Sequence, residues 1–312
     1  MLDLLHAVLV APFKDMAGSP TFLVEVLIGG LAAGLMYSLV ALGFVLIYKA
    51  SGVFNFAQGV MVLFAALTLV GLIERGAPLV VALALTTAVM VALAFAIERV
   101  VLRPLVNQEQ IILFMATIGL NFFLEGFGEF AWGSDVKKLD VGIPDTSFMV
   151  WGVQVNRLEL TAAITAAVLV AIMAVFFQRT RVGRALRAVA DDHEAALSIG
   201  IPLNTIWIVV WSVAGLVAIV AGIMWGAKSG VQFSLSLIAL KALPVLILGG
   251  FTSVPGAIVG GLIIGTGEKL AEVYWGPLVG GAIENWFAYM LALAFLLVRP
   301  QGLFGEKIIE RV

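Results

Sequence analysis

The feature that most constrains this chain is a succession of apolar runs, each close to the length of a bilayer crossing. A spanning helix needs roughly 20 apolar residues to cross the hydrocarbon. Runs that approach or meet that length lie at 22–48, 59–74, 79–101, 109–130, 158–178, 206–227, 235–250, 255–275 and 283–298. Of the 312 residues, 62% are apolar and 12% charged. A soluble domain is nearer one-half apolar and about one-quarter charged, so lipid must cover the excess. The expected fold is all-α: a polytopic integral membrane protein of about eight to nine transmembrane helices, some broken or short, forming one domain over 1–312. The runs 235–250 and 255–275 are short, Gly-rich and separated only by Phe251 to Val254. They read as two tilted spans or a re-entrant pair, and are counted here as two spans.

Orientation follows from Lys and Arg near the helix ends. The densest cluster is Arg179, Arg181, Arg184 and Arg187, which places 180–205 in the cytoplasm. Alternation then puts 131–157 outside as an extracytoplasmic loop. Lys49, Arg103, the Phe251 turn and Arg299 fall inside, and the N-terminus outside. Residues 1–10 carry Asp3 and no Lys or Arg, unlike a cleaved signal. Leu2, Leu5, Val8 and Leu9 stand at helical spacing, so 1–20 reads as an interfacial helix, or else as a frayed tail. The net charge of −2 excludes a basic nucleic-acid surface. With no cysteine and two distant histidines, no metal site is expected.

Small residues recur four apart at Gly30 and Gly34, Gly256 and Gly260, and Gly261 and Gly265. That spacing lays a flat strip along one helix face, where another backbone can approach. Polar groups interrupt the apolar runs at Asn55, Gln58, Thr117, Asn121 and Lys241. An intramembrane charge costs at least ~2.5–3.5 kcal/mol, so Lys241 should face protein or water. It serves either as a structural ion pair or carbonyl cap, or as a gate or substrate contact. Pro244 should break its helix and free carbonyls nearby. Glu25, Glu125, Glu129 and Glu268 lie nearer the span ends and read as solvated interfacial charge. No catalytic set is present: there is no phosphate loop ending in Lys-Ser or Lys-Thr, no zinc-protease pattern and no serine elbow.

The segment 180–200 is a helix with Leu186, Val189, Ala190, His193 and Leu197 on one face and charge on the other. Gly200 and Pro202 stop it. A short charged helix between two spans either docks into a groove on a partner subunit or lies on anionic lipid. A weak internal echo relates Gly52-Val-Phe-Asn-Phe-Ala-Gln-Gly59 to Gly249-Gly-Phe-Thr-Ser-Val-Pro-Gly256, which share Gly, Phe and Gly at equal spacing.

The chain resembles the permease family of the branched-chain (hydrophobic) amino acid ABC importers, specifically the LivH-type subunit. The resemblance is carried by Gly34-Leu-Met-Tyr-Ser-Leu-Val-Ala-Leu-Gly43, Gly52 to Gly59, Arg103-Pro-Leu, Thr117-Ile-Gly119, Gly183-Arg-Ala-Leu-Arg-Ala, Glu194-Ala-Ala-Leu-Ser-Ile-Gly200, Leu248-Gly-Gly250 and Arg299-Pro-Gln-Gly-Leu-Phe-Gly305. It implies a multi-pass subunit of the bacterial cytoplasmic (inner) membrane. The implied partners are a homologous second permease, two ABC ATPase subunits that bind ATP and Mg, an extracytoplasmic substrate-binding protein and lipid. No cofactor belongs to this chain, and it is a transport subunit rather than an enzyme. Glu194-Ala-Ala with Gly200 looks like the importer signature that marks the ATPase contact. Arg184, Arg187, Asp191, Glu194, Ala195, Ala196 and Gly200 are therefore the coupling candidates. Asn55, Gln58, Thr117, Asn121 and Lys241 are the candidates for the translocation pathway. Branched-chain amino acids are the implied solutes, with urea, short amides or other small polar solutes as the alternative. A self-sufficient secondary transporter or channel is the rival class.

Overall fold

The computed structural model describes residues 6, 8–105, 108–191, 196 and 198–305. Helix α1, Ala11–Gly18, leads directly into α2, Pro20–Ser51. Pro20 sits in the first turn of α2, where its missing N–H has no intrahelical partner to lose. Gly52 ends α2 at φ 67°, a left-handed conformation open to glycine. A turn over 53–57 delivers the chain into α3, Gln58–Glu74. Helix α4, Leu79–Ala96, begins after Pro78 and ends in a π-helical turn, Ile97–Leu102, and a 3-10 turn, Arg103–Leu105. Helix α5 spans Gln110–Trp132.

After the hairpin described below comes α6, Arg157–Arg179, capped by Asn156, whose side chain accepts the Glu159 N–H at 3.1 Å. Then follow α7, Arg181–Asp191, and α8, Leu203–Ser229. A 3-10 turn, Phe233–Leu237, opens α9, Ile238–Gly249. Helix α10 is Val254–Tyr274, α11 is Gly276–Val279 and α12 is Glu284–Val298.

Each expected apolar run is helical, and the run ends fall close to the helix ends. Fewer of these helices reach full span length than there are apolar runs. Among the described residues five helices are long and apolar enough to cross a membrane: Pro20–Ser51, Leu79–Leu105, Gln110–Trp132, Arg157–Arg179 and Leu203–Ser229. The pair Phe233–Gly249 and Val254–Tyr274, counted above as two spans, is bent by 114° and adds a sixth if it is one broken span. Helices α3 and α12 have 17 and 15 residues. At 1.5 Å per residue they reach about 25 Å or less, short of the ~30 Å core. The all-helical expectation is also corrected by a small antiparallel hairpin within 131–157, Ser147–Val150 against Val153–Asn156. Its two turn residues, Trp151 and Gly152, both have positive φ, 50° and 83°, the backbone that a two-residue hairpin turn requires.

Burial separates core from periphery. In α2, 83% of the apolar window is buried and in α8 67%, against 28% in each of α4, α5 and α6. The latter three turn most of their apolar surface outward, where only lipid can cover it. At the centre α2 and α10 run antiparallel with backbones nearly touching. A Cβ on Gly34 would stand 2.4 Å from Gly261 O, and one on Gly265 2.6 Å from Gly30 O. Helix α10 meets α9 the same way, since a Cβ on Gly260 would lie 2.6 Å from Val245 O. Such contacts build a membrane core from close packing where no hydrophobic drive operates.

The polar ends sort into two groups. At one end Lys137 pairs with Glu74 and bridges to Val231, Arg75 lies over Trp132, and Lys228 pairs with Glu159 at 2.8 Å. At the other end α7, the turn between α9 and α10, and Phe304 surround one cleft.

Candidate functional site

Three of the polar candidates converge on the turn after α2. Asn55, Gln58 and Thr117 are at most 1% exposed. Asn55 Oδ1 accepts the Ala57 N–H at 3.1 Å, and its amide reaches Gln58 Oε1 at 3.4 Å. Thr117, on α5, accepts the Phe56 N–H at 3.1 Å and lies 2.8 Å from Phe114 O. Side chains thus supply the partners that a non-helical stretch needs inside an apolar bundle. One group is left over: Gln58 Nε2 is buried without a hydrogen-bond acceptor among the described residues. It lies against Gly43, where a Cβ would approach it to 2.0 Å. Asn121, one turn beyond Thr117, is half-buried and is not drawn into this set.

Lys241 belongs to a second cluster. Its Nζ donates to Glu268 Oε1 at 2.6 Å and to Glu284 O at 2.9 Å. Tyr37 donates to the same Oε1 at 3.2 Å and stacks on Trp225 at 5.6 Å between centroids. Glu268, read from sequence as a solvated interfacial charge, is instead 3% exposed. It stands four turns into α10, which is enclosed by α2, α9 and α12. The Pro244 expectation is half corrected. Helix α9 continues through Pro244. The carbonyl that Pro244 cannot reach, Leu240 O, is taken by the Tyr289 hydroxyl at 2.6 Å, so the freed acceptor is satisfied from α12. A second ion pair was not foreseen from the sequence: Glu98, fully buried, accepts from the half-exposed Arg103 Nε at 3.2 Å. Its spacing runs from the π-helical turn into the 3-10 turn and carries no α-helical signal.

Of the coupling candidates, Arg184 and Arg187 cap the end of α6. Arg184 Nη1 donates to Arg179 O at 3.3 Å; Arg187 donates to Phe177 O and, at 3.4 Å, to Gln178 O. Cationic groups on terminal carbonyls answer both the orphan acceptors and the helix dipole. They also clamp α7 onto α6. Leu186 and Val189 are buried on its inner face. Asp191 closes α7; Glu194 and Ala195, like His193 and Leu197, lie outside the described residues. Ala196 is buried, and Gly200 is exposed at φ 85°.

The cleft beside α7 has a volume of about 250 Å³ and is lined by Lys49, Phe177, Leu186, Arg187, Ser253 and Phe304 among others. Phe304 belongs to a strap formed by residues 299–305. Leu303 N–H donates to Leu248 O at 2.8 Å and Phe304 N–H to Gly249 O at 3.2 Å. The strap thereby caps the last carbonyls of α9 and ties them to the α7 cleft.

A charge-poor helical bundle with buried polar turns, a broken helix pair and a clamped polar end-helix is an integral membrane protein of the transporter class. The family described as branched-chain amino acid transport system, permease component, matches residues 26–299, and the chain belongs to it. It is 29% identical over 301 residues to the high-affinity branched-chain amino acid transport system permease protein BraD of Pseudomonas aeruginosa, covering 92% of this chain and 97% of that protein. To LivH of Escherichia coli it is 28% identical over 312 residues, covering 93% and 98%. To a probable LivH of Methanocaldococcus jannaschii it is 27% identical over 282 residues, covering 86% and 88%.

Proposed function

We propose that this chain is the transmembrane permease subunit of an ATP-binding-cassette importer of the bacterial cytoplasmic membrane. It passes branched-chain or other small amino acids delivered by an extracytoplasmic binding protein. Its partners are a homologous permease and two ATPase subunits, which hold the ATP and Mg. The eight to nine membrane segments include α9 and α10 as a broken pair, with the α7 end cytoplasmic and the hairpin end outside.

The observation that carries the reading is the joint of α7. A short charged helix is clamped to α6 by Arg184 and Arg187 and abuts the α9–α10 elbow through one cleft. A push on α7 is therefore passed both to a span and to the elbow. This is how a motor bound outside the membrane moves a pathway within it. Asn55, Gln58, Thr117, Asn121 and Lys241 line or gate that pathway.

The test is uptake by the reconstituted complex. Replacing Glu194, or Gly200 by Ala, leaves the complex assembled but uncouples ATP hydrolysis from amino acid uptake. Gly200 adds a backbone reason, because its positive φ disfavours any side chain. Unchanged uptake in both variants refutes the coupling role. Uptake by this chain alone, driven by an ion gradient, would instead establish a secondary transporter.

A further inference from the structure

The Lys241–Glu268 cluster leaves two hydrogen-bonding positions open. An ammonium has three donors. Lys241 uses two, on Glu268 Oε1 and Glu284 O. A carboxylate has two acceptor oxygens, yet both Lys241 and Tyr37 converge on Oε1. Glu268 Oε2 is buried and has no donor among the described residues. Among the described residues, then, one N–H of the cation and one oxygen of the buried carboxylate have no partner. Buried carboxylate oxygens are rarely left without a partner, because desolvation is not repaid. The Lys241 side chain is 23% exposed and the Glu268 side chain 4%, so the approach is from the lysine side.

We infer that Lys241 and Glu268 form a station for the zwitterion of an α-amino acid, Lys241 taking its carboxylate and Glu268 Oε2 its ammonium. The inference rests on the amino acid permease reading above and narrows its solute class. A neutral amide or urea offers no full charge to either group, so the station favours the zwitterion. Charge balance is kept throughout: the pair is neutral when closed, and neutral again with a zwitterion inserted. Opening it without a zwitterion would leave two unpaired charges in an apolar surround. In this conformation the charges are 2.6 Å apart, which leaves no room between them. The solute enters when the first turns of α9, which carry Lys241, move off α10 at Pro244, where the helix lacks one backbone hydrogen bond, while the elbow keeps its angle. The other ion pair on a buried carboxylate does not qualify. Glu98 Oε2 likewise has no donor among the described residues, but the Arg103 side chain is 44% exposed, so the pair is not enclosed on its cationic side.

The experiment uses the complete complex, with labelled leucine and a neutral short amide as probes. The wild type should bind and take up leucine; if it handles neither probe, the permease reading fails and not this inference alone. The neutral pair Lys241→Met with Glu268→Gln removes both charges together, so no charge is left buried alone. It should co-purify with the ATPase subunits and lose leucine affinity by about tenfold or more, the worth of the charged hydrogen bonds removed. Its handling of the amide should change far less. Equal loss for both probes, or wild-type leucine uptake, overturns the station. Should the neutral pair fail to assemble, the swapped pair Lys241→Glu with Glu268→Lys decides. It restores an ion pair but exchanges the free donor and acceptor. Full leucine uptake by the swap makes the pair a structural staple, and assembly with impaired leucine uptake supports the station.

Discussion

The turn over 52–57 and the turn over 250–253 begin alike and are closed by different means. Each starts on a left-handed glycine, Gly52 at φ 67° and Gly250 at φ 102°. Each carries a phenylalanine that meets the other, Phe54 and Phe251, at 6.3 Å. The first is closed by side chains: Asn55 holds Ala57, and Thr117 reaches across from α5 to hold Phe56. The second is closed mainly by backbone. The strap satisfies Leu248 and Gly249, and Gly249 and Gly256 pack carbonyl against Cα. Side chains can exchange partners with a passing solute or water. Backbone contacts at van der Waals distance cannot, and they fix a shape. The first turn therefore suits a lining of the pathway, and the second suits an elbow that keeps its angle while it moves.

The sharpest way to break this contrast is to add one methyl group beside each turn. A Cβ on Gly256 would meet Gly249 O at 2.1 Å and its carbon at 2.8 Å, both backbone. Gly256→Ala should cost ~3 kcal/mol or more, beyond the usual overpacking range because neither backbone can yield. The gain of about 1 kcal/mol in helix propensity does not offset it. At Gly43 the obstacle is the amide end of Gln58, at 2.0 Å. That group can rotate, so Gly43→Ala should cost less. Thermal unfolding of the two variants in detergent reads the difference, and equal losses would erase the distinction between the turns.

Much of this molecule was legible from residue type and spacing. The apolar runs mark the helices, and the polar residues Asn55, Gln58 and Thr117, chosen as odd in an apolar chain, meet at one turn. The glycines four apart mark the faces along which α2, α9 and α10 touch. What spacing could not show was partnership across long stretches of sequence. Lys241 announces itself by its charge, but Glu268 stands 27 positions away and Tyr37 231 positions from Glu268. Glu268 looked interfacial because distance from a span end was the only measure available. Pro244 was expected to stop α9 because its cost was counted within one helix. Tyr289, on another helix, covers that cost. The same limit hid the strap, whose donors are backbone and carry no side-chain signature.

A smaller effect sharpens the first turn. Thr117→Val keeps shape and removes the hydroxyl, leaving the Phe56 N–H without its acceptor. An unsatisfied buried donor costs about 1–3 kcal/mol. Thr117→Ser keeps the hydroxyl and should retain most of the stability. Because Thr117 is also a pathway candidate, uptake is measured beside unfolding. Loss of stability restored by Ser, with uptake restored in parallel, assigns the role to holding the turn.

The smallest expected effect falls at the elbow. Ser253 caps α10, its Oγ accepting the Gly256 N–H at 3.0 Å. Loss of such a cap costs typically ~1 kcal/mol, and glycine in its place only a few tenths. At a turn held by strap and glycine contacts the cap is one bond among several. Ser253→Ala should therefore cost less than Thr117→Val under the same conditions. The ordering matters more than either value. If Ser253→Ala proved the more damaging, a side chain would be closing the elbow after all. Both turns would then be held by the same device, and the rigidity assigned to the elbow would have to come from the α2–α10 seam alone.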